Sequence, residues 1–435
     1  MATVNDSVIS IAHGSSWPLR WARSGVAILI LLSIILPSAL KDLTAILLVG
    51  VLWLIALAAI GQQIEWTSRR RTVGLAALLF STVGLFWSVY GATRGAPGAV
   101  RVMTIYVIYP TLFFCLGSVF RAGDFGRLRI LFRIATALVI ASQIAFVLSW
   151  IGVDGDRFSS LMVHLYGKLA VVDKTAGFTL FTLPSVSSLM FLSPFLLVDT
   201  LTSKNGRVFS ASLFAFSLLA CLVAGRRAIY PVLFLCIFSV VFLGRPLLNS
   251  KDLRERAKRR TALLLLVGLG ATLGAIATGV VNPHEVMSRI MSLQKMSADR
   301  EDYPRIKQFR VLVGEAGTSP VLGEGAGAAG SYTRSNSQPW AYELTYVDLF
   351  FQFGAFGVLI FSCGFLYLMN CLMRAIANDG IDMNERASIL CYAVAFLGFI
   401  AANATNPYLA KFSYMWILFI PVAASAAGID LQKSQ

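Results

Sequence analysis

The chain is built from apolar runs long enough to cross a bilayer, with little polar sequence between them. A run of about 17–25 apolar residues spans a hydrocarbon core of roughly 30 Å. Twelve such runs can be read, near 26–40, 43–60, 73–90, 100–120, 134–151, 175–198, 208–224, 228–243, 261–281, 344–368, 387–404 and 412–427. A water-soluble fold would leave them without polar faces. Only 14% of the residues are charged, against about 25% in a soluble protein. The predicted fold class is therefore all-α: a polytopic membrane protein of about 12 transmembrane helices, forming a single integral membrane domain over residues 1–435.

Several function classes drop out. The six cysteines mostly sit inside apolar runs without CxxC spacing, and the three histidines form no ligand cluster, so neither a metal nor another cofactor is expected. The net charge is +15. On a membrane protein this points to anionic headgroups or an anionic lipid-linked substrate, not to nucleic acid. The polar first 20 residues do not read as a cleavable signal.

Two polar intervals interrupt the apolar pattern. In 152–174, Phe158, Leu161, Met162, Leu165 and Leu169 recur at helical spacing opposite Arg157 and Lys168, which predicts a short helix in the membrane interface. The run that follows contains Pro184 and Pro194, so a bent or broken span is expected there. The longer interval, 282–343, carries Arg289, Lys295, Arg300, Arg305, Lys307, Arg310 and Arg334 before a glycine-rich tract. With the N-terminus inside and twelve spans alternating, 21 of the 37 basic residues fall inside. The block from Arg245 to Arg260 weighs most heavily in that orientation. Both termini are then cytoplasmic, and both polar intervals are periplasmic. The basic residues left outside depart from the positive-inside tendency and suggest an anion to be bound there.

Candidate residues lie at the outer ends of the spans. Arg226 and Arg227 form the tip of a tight hairpin, where arginines either snorkel to headgroups or fork onto phosphate oxygens. Residues 302–315 read as a short helix with Ile306, Phe309 and Val313 on one face. Either it lies on lipid phosphates, or it roofs a cavity and turns Arg305 or Arg310 toward a pyrophosphate. The tract Pro320-Val-Leu-Gly-Glu-Gly-Ala-Gly-Ala-Ala-Gly330 lacks the Gly-Lys-Ser/Thr ending of a nucleotide loop. It reads as a flexible loop or as close backbone turns with amides facing an anion. Glu343 and Asp348 stand at the entry to the tenth run. They either cap a helix N-terminus or supply a base for an acceptor hydroxyl.

Four features in order give these residues a family likeness: Ala224-Gly-Arg-Arg-Ala228; Arg305-x-x-Gln308; Pro320-Val-Leu-Gly-Glu-Gly-Ala-Gly327; and Tyr342-Glu-Leu-Thr-Tyr-Val-Asp-Leu349 followed by Gly354. Asn406-Pro407-Tyr408 is a weaker fifth. Over Leu218 to Leu409 the chain resembles the bacterial O-antigen ligase and O-antigen polymerase superfamily. The resemblance implies a metal-independent glycosyltransferase of the inner membrane, of inverting type, acting on undecaprenyl-diphosphate-linked glycans at the periplasmic face. It implies arginines on the diphosphate, which here fall on Arg226 or Arg227 and on Arg305 or Arg310. Ligases place a histidine near the start of the next span; Glu343 stands there instead, which favours a polymerase of O-antigen, capsule or exopolysaccharide repeat units. A chain-length regulator protein is the partner such a polymerase implies. Ligation to lipid A-core and transport of lipid-linked oligosaccharide are the alternative readings.

Overall fold

A computed structural model describes residues 17–244 and 303–427, apart from 38, 62–63, 65–67, 122, 154, 168–169, 176–177, 204–205, 227 and 334. The ninth apolar run, the Arg245–Arg260 block, the loop residues 282–302, Arg227 and Arg334 lie outside the described residues. The described part is almost wholly helical. An α-helix closes its backbone hydrogen bonds within the segment, which hydrocarbon demands.

In chain order the elements are α1 (Trp17–Ile35), α2 (Lys41–Ile60), α3 (Ser68–Thr93), α4 (Ala99–Met103), a π-helical turn (Thr104–Ile108), α5 (Tyr109–Gly117), α6 (Asp124–Trp150) and α7 (Arg157–Tyr166). A hairpin of β1 (Val171–Thr175) and β2 (Phe178–Thr182) leads through a 3-10 turn, Pro184–Ser188, into α8 (Leu189–Thr202). Then come α9 (Arg207–Val223), α10 (Ile229–Leu243), α11 (Tyr303–Ala316), α12 (Thr345–Ala377), α13 (Met383–Asn403) and α14 (Trp416–Ala427). Among the described residues, seven helical segments are long and apolar enough to cross a membrane, and four shorter apolar helices accompany them. The protein is embedded in a membrane.

Burial sorts the spans. The Pro184–Thr202 segment is 94% buried and α13 78%, whereas α2 is 17% buried. The two buried spans therefore form the axis of the bundle, and α2 turns most of its surface to lipid, Trp53 included. At the axis an aromatic cluster interlocks four helices. Phe132 of α6 lies 5.2 Å from Phe195 of α8 and 5.4 Å from Trp416 of α14, and Phe195 lies 5.4 Å from Tyr392 of α13. Edge-to-face and tilted contacts of this kind suit the quadrupole of aromatic rings.

The sequence expectations need three corrections. The sixth run is no single span. Its first third forms β2, which pairs antiparallel with β1 from the end of the preceding polar interval, Val171 facing Thr182 and Asp173 facing Leu180. The β-branched and aromatic residues on both strands favour extended backbone, and Pro184 has no N–H to continue a ladder into the helix. The fifth span begins ten residues earlier than its apolar run, at Asp124, because Arg129 and Arg133 are paired with a carboxylate inside the bundle. Both guanidiniums bind the fully buried carboxylate of Asp199 on α8. Arg133 forks onto it with Nε at 2.7 Å and Nη2 at 3.0 Å, and Ser210 of α9 donates to it at 2.6 Å.

The third correction concerns the glycine tract, which is neither loose nor an amide cradle. Helix α12 breaks at Gly354, whose φ of 63° and ψ of −175° are not helical. Two helical hydrogen bonds are lost there, and the tract replaces them. Ala355 and Phe356 donate to Pro320 O and Val321 O at 2.8 and 3.0 Å, while Phe351 O and Gln352 O accept from Glu324 N and Gly325 N at 2.9 and 3.0 Å. Gly327 N donates to the Gln352 side chain at 2.7 Å. A Cβ at Gly323 would strike the backbone of Gln352 and Gly354, and one at Gly325 or Gly327 would strike the backbone of Gly91 or Gly98. All three glycines also have positive φ, which L side chains resist.

Two outcomes test this account. Asp199→Ala leaves two buried guanidiniums unpaired and is expected to cost about 3–5 kcal/mol, read as a large fall in Tm of the detergent-solubilised protein. Gly323→Ala should abolish recovery of a monodisperse protein on size exclusion. Gly314→Ala, where nothing lies within 4 Å of the added methyl, should leave recovery unchanged.

Candidate functional site

The turn between α9 and α10, the helix α11, the entry to α12 and the segment between α13 and α14 meet at one end of the bundle. Helix α11 explains the Arg305-x-x-Gln308 spacing. Residues three apart share a helix face, and the face turned inward carries Arg305, Gln308 and Leu312, with Gln308 and Leu312 buried. This differs from the apolar face read from the sequence, since Phe309 and Val313 are exposed. Arg305 Nε donates to Glu343 Oε2 at 2.8 Å. Gln308 Oε1 accepts from the Glu343 backbone at 3.4 Å.

Arg226 sits in the hairpin turn, immediately after Gly225. That glycine has a φ of 66° and lies under the Leu180 side chain of β2. Thr182 of the same strand donates to Ala224 O at 3.1 Å. The β-hairpin thus rests on the turn and fixes where Arg226 stands. Arg226 is half-buried, and its Nε is fully shielded with no hydrogen-bond partner among the described residues.

Lys411, which sequence reasoning passed over, connects these groups. Its side chain is exposed, in the segment between α13 and α14. Desolvation and then the Arg226 guanidinium push its pKa below the ordinary lysine value, while the Glu343 carboxylate pulls it up. Arg226, Glu343 and Lys411 therefore share one electrostatic neighbourhood, and Arg305 is joined to it through Glu343. The available signal was a lysine three residues after Tyr408 of the Asn406-Pro407-Tyr408 motif, between two apolar runs.

The polar atoms left over around this cluster are of one kind. Gln308 Nε2, Thr345 Oγ1 and Tyr408 OH are buried and, like Arg226 Nε, lack a partner among the described residues. Each belongs to a residue that bonds to Glu343 or lies within three positions of Glu343 or Lys411. All four atoms can donate a hydrogen bond. Three cations beside one carboxylate suit an anion with several acceptor oxygens.

The other candidates stand apart. Arg310 is exposed and lies about 140° around α11 from Arg305, at about 100° per residue. Asp348 is half-buried and accepts from Gln352 Nε2 at 2.6 Å, so it holds the side chain that pins the glycine tract. Arg227 falls outside the described residues. Among the described residues no three His, Cys, Asp or Glu side chains gather as metal ligands. Compared with known proteins, the chain matches no family model and no curated protein.

The depressed lysine gives a pH test. Protonated Lys411 attracts an anion, so affinity is present at neutral pH and falls as pH rises through its lowered range. Titration of the purified protein with dodecyl diphosphate should weaken on the alkaline side earlier than an ordinary lysine would allow. Lys411→Arg should keep its affinity there, because guanidinium stays charged.

Proposed function

We propose that the chain is a glycosyltransferase of the bacterial inner membrane, with twelve spans and both termini cytoplasmic. It polymerises undecaprenyl-diphosphate-linked oligosaccharide units at the periplasmic face. The observation that carries this reading is the gathering of Arg226, Arg305 and Lys411, from three separate elements, near Glu343.

The chemistry follows from that arrangement. The diphosphate oxygens take the guanidiniums of Arg226 and Arg305 and the ammonium of Lys411. In doing so they displace Glu343 from Arg305, and the released carboxylate takes the proton of the acceptor hydroxyl. The hydroxyl oxygen forms its bond to the anomeric carbon as the bond from that carbon to the phosphate oxygen breaks. The electron pair leaves with undecaprenyl diphosphate, and the fixed cations stabilise the charge where it grows. Glu343 in place of a histidine favours chain extension over ligation to lipid A-core.

A transporter of the same lipids is a second reading, favoured by the break in α12, since discontinuous helices line transport sites. The cations here gather at one end of the bundle and not at its middle, which favours transfer.

Purified protein in detergent with lipid-linked repeat units separates the two, because chain growth needs no second compartment. Arg226→Ala and Arg305→Ala should each lower the rate of polymer formation by about 10²–10³-fold, the loss typical of one removed oxyanion donor. Arg310→Ala should stay within a few-fold of the parent protein. Normal polymer from both arginine variants, expressed at normal level, would remove the diphosphate clamp.

A further inference from the structure

A second cavity lies at the other end of α11. Its volume is about 430 Å³, within the range of about 300–1,000 Å³ of small-molecule sites. Its lining includes Arg94, Glu315, Thr318, Glu324, Ala329 and Ser331. Ten residues of α11 separate Glu315 from Arg305, about 15 Å along the axis at about 1.5 Å per residue.

The lining is preorganised, and its sign is opposite to that of the cationic recess. Glu324 Oε2 takes Arg94 Nη2 at 2.8 Å, and its other oxygen accepts from Thr318 at 2.8 Å. Arg94 is fixed in turn by the Tyr90 hydroxyl at 2.7 Å and lies over the Tyr90 ring. Burial would raise the Glu324 carboxyl, but hydrogen bonds from Ser319 and Thr318 and the Arg94 charge hold it below the ordinary value, so it is ionised at neutral pH. Glu315 Oε1 accepts from Ser331 N at 2.9 Å. The one cation of the lining is paired with Glu324, which leaves the Glu315 carboxylate uncompensated in the wall. Such a surface repels a diphosphate and offers acceptors to hydroxyl groups.

The wall of the cleft is tied to the segment that carries Glu343. Gly330, between lining residues Ala329 and Ser331, donates its N–H to the Tyr342 hydroxyl at 2.6 Å. Tyr342 is buried and immediately precedes Glu343. One wall therefore runs from the acidic cleft to the carboxylate that receives the acceptor proton.

We propose that this cleft seats the acceptor glycan, binding the hydroxyls of its sugars through Glu315 and Glu324, while the lipid diphosphate occupies the cationic recess. The inference rests on the reading of that recess as the donor site. It assigns the two substrates of one reaction to the two ends of α11, joined at Glu343.

Two soluble probes test it separately. One is the oligosaccharide released by mild acid from the host's surface polysaccharide, free of diphosphate and lipid; the other is dodecyl diphosphate, free of sugar. Ser331→Trp fills the cleft from an exposed rim position, and Glu324→Gln removes a charge while keeping the shape. Both variants should bind dodecyl diphosphate as the parent does, which also reports their folding, and should lose oligosaccharide binding by at least tenfold in calorimetry. Arg305→Ala should show the reverse. Oligosaccharide binding that is absent from the parent, or equal in parent and Ser331→Trp, would overturn the acceptor site. Dodecyl diphosphate binding unaffected by Arg305→Ala would instead overturn the donor reading, and leave a sugar cleft standing if the oligosaccharide still responds to Ser331→Trp.

Discussion

A helix that stops part-way through a hydrocarbon layer must hand its unpaired backbone groups to something else. In α12 the break at Gly354 frees two donors and two acceptors, and residues 320–325 satisfy all four. In lipid each unmet group would cost several kcal/mol, so tract and helix are conditional on one another. The exchange also brings the start of α12, with Glu343, beside α11. The cationic recess depends on this joint, because Arg305 reaches Glu343 only if the tract between α11 and α12 returns along this path.

The recess is assembled from ends of elements. Helix ends and turns place side chains at the boundary of the apolar layer, where a cation retains some water and remains charged. Within the bundle interior the same residue types serve differently. Arg129 and Arg133 share the Asp199 carboxylate, Thr202 and Ser203 accept further hydrogen bonds from them, and Ser210 donates to Asp199. The contrast is informative. The interior arginines have their acceptors, whereas the shielded Arg226 Nε has none among the described residues.

The apolar runs made the helices legible, since ten of the twelve coincide with described helices and the later part of the sixth is α8. The break of the sixth run was legible from Pro184 and Pro194. The strands before it were not, because a short apolar run with β-branched residues reads equally well as buried helix. The early start of α6 was hidden because Arg129 and Arg133 look like loop residues until Asp199, 70 and 66 positions on, is known to face them. At the site, Arg226, Arg305 and Glu343 stood out as polar residues at span ends. Their convergence could not be read, because nothing local ties a hairpin turn to a helix almost eighty residues away. Lys411 was missed for the same reason. The close turns of the glycine tract were legible, but its partners were not, because they are backbone atoms that leave no mark in composition.

The Arg129–Asp199–Arg133 cluster also bears on how the chain is made. Its members are separated by 66 and 70 positions, so the two arginines leave the ribosome well before the carboxylate. At about 5–20 residues per second that interval lasts roughly 4–14 seconds. During it the first turns of α6 hold two cations with no counter-ion in place, and hydrocarbon opposes their full entry. Synthesis of α8 ends the wait. The seating of α6 is thus tied to the birth of a later helix, and the order of translation becomes part of the folding pathway.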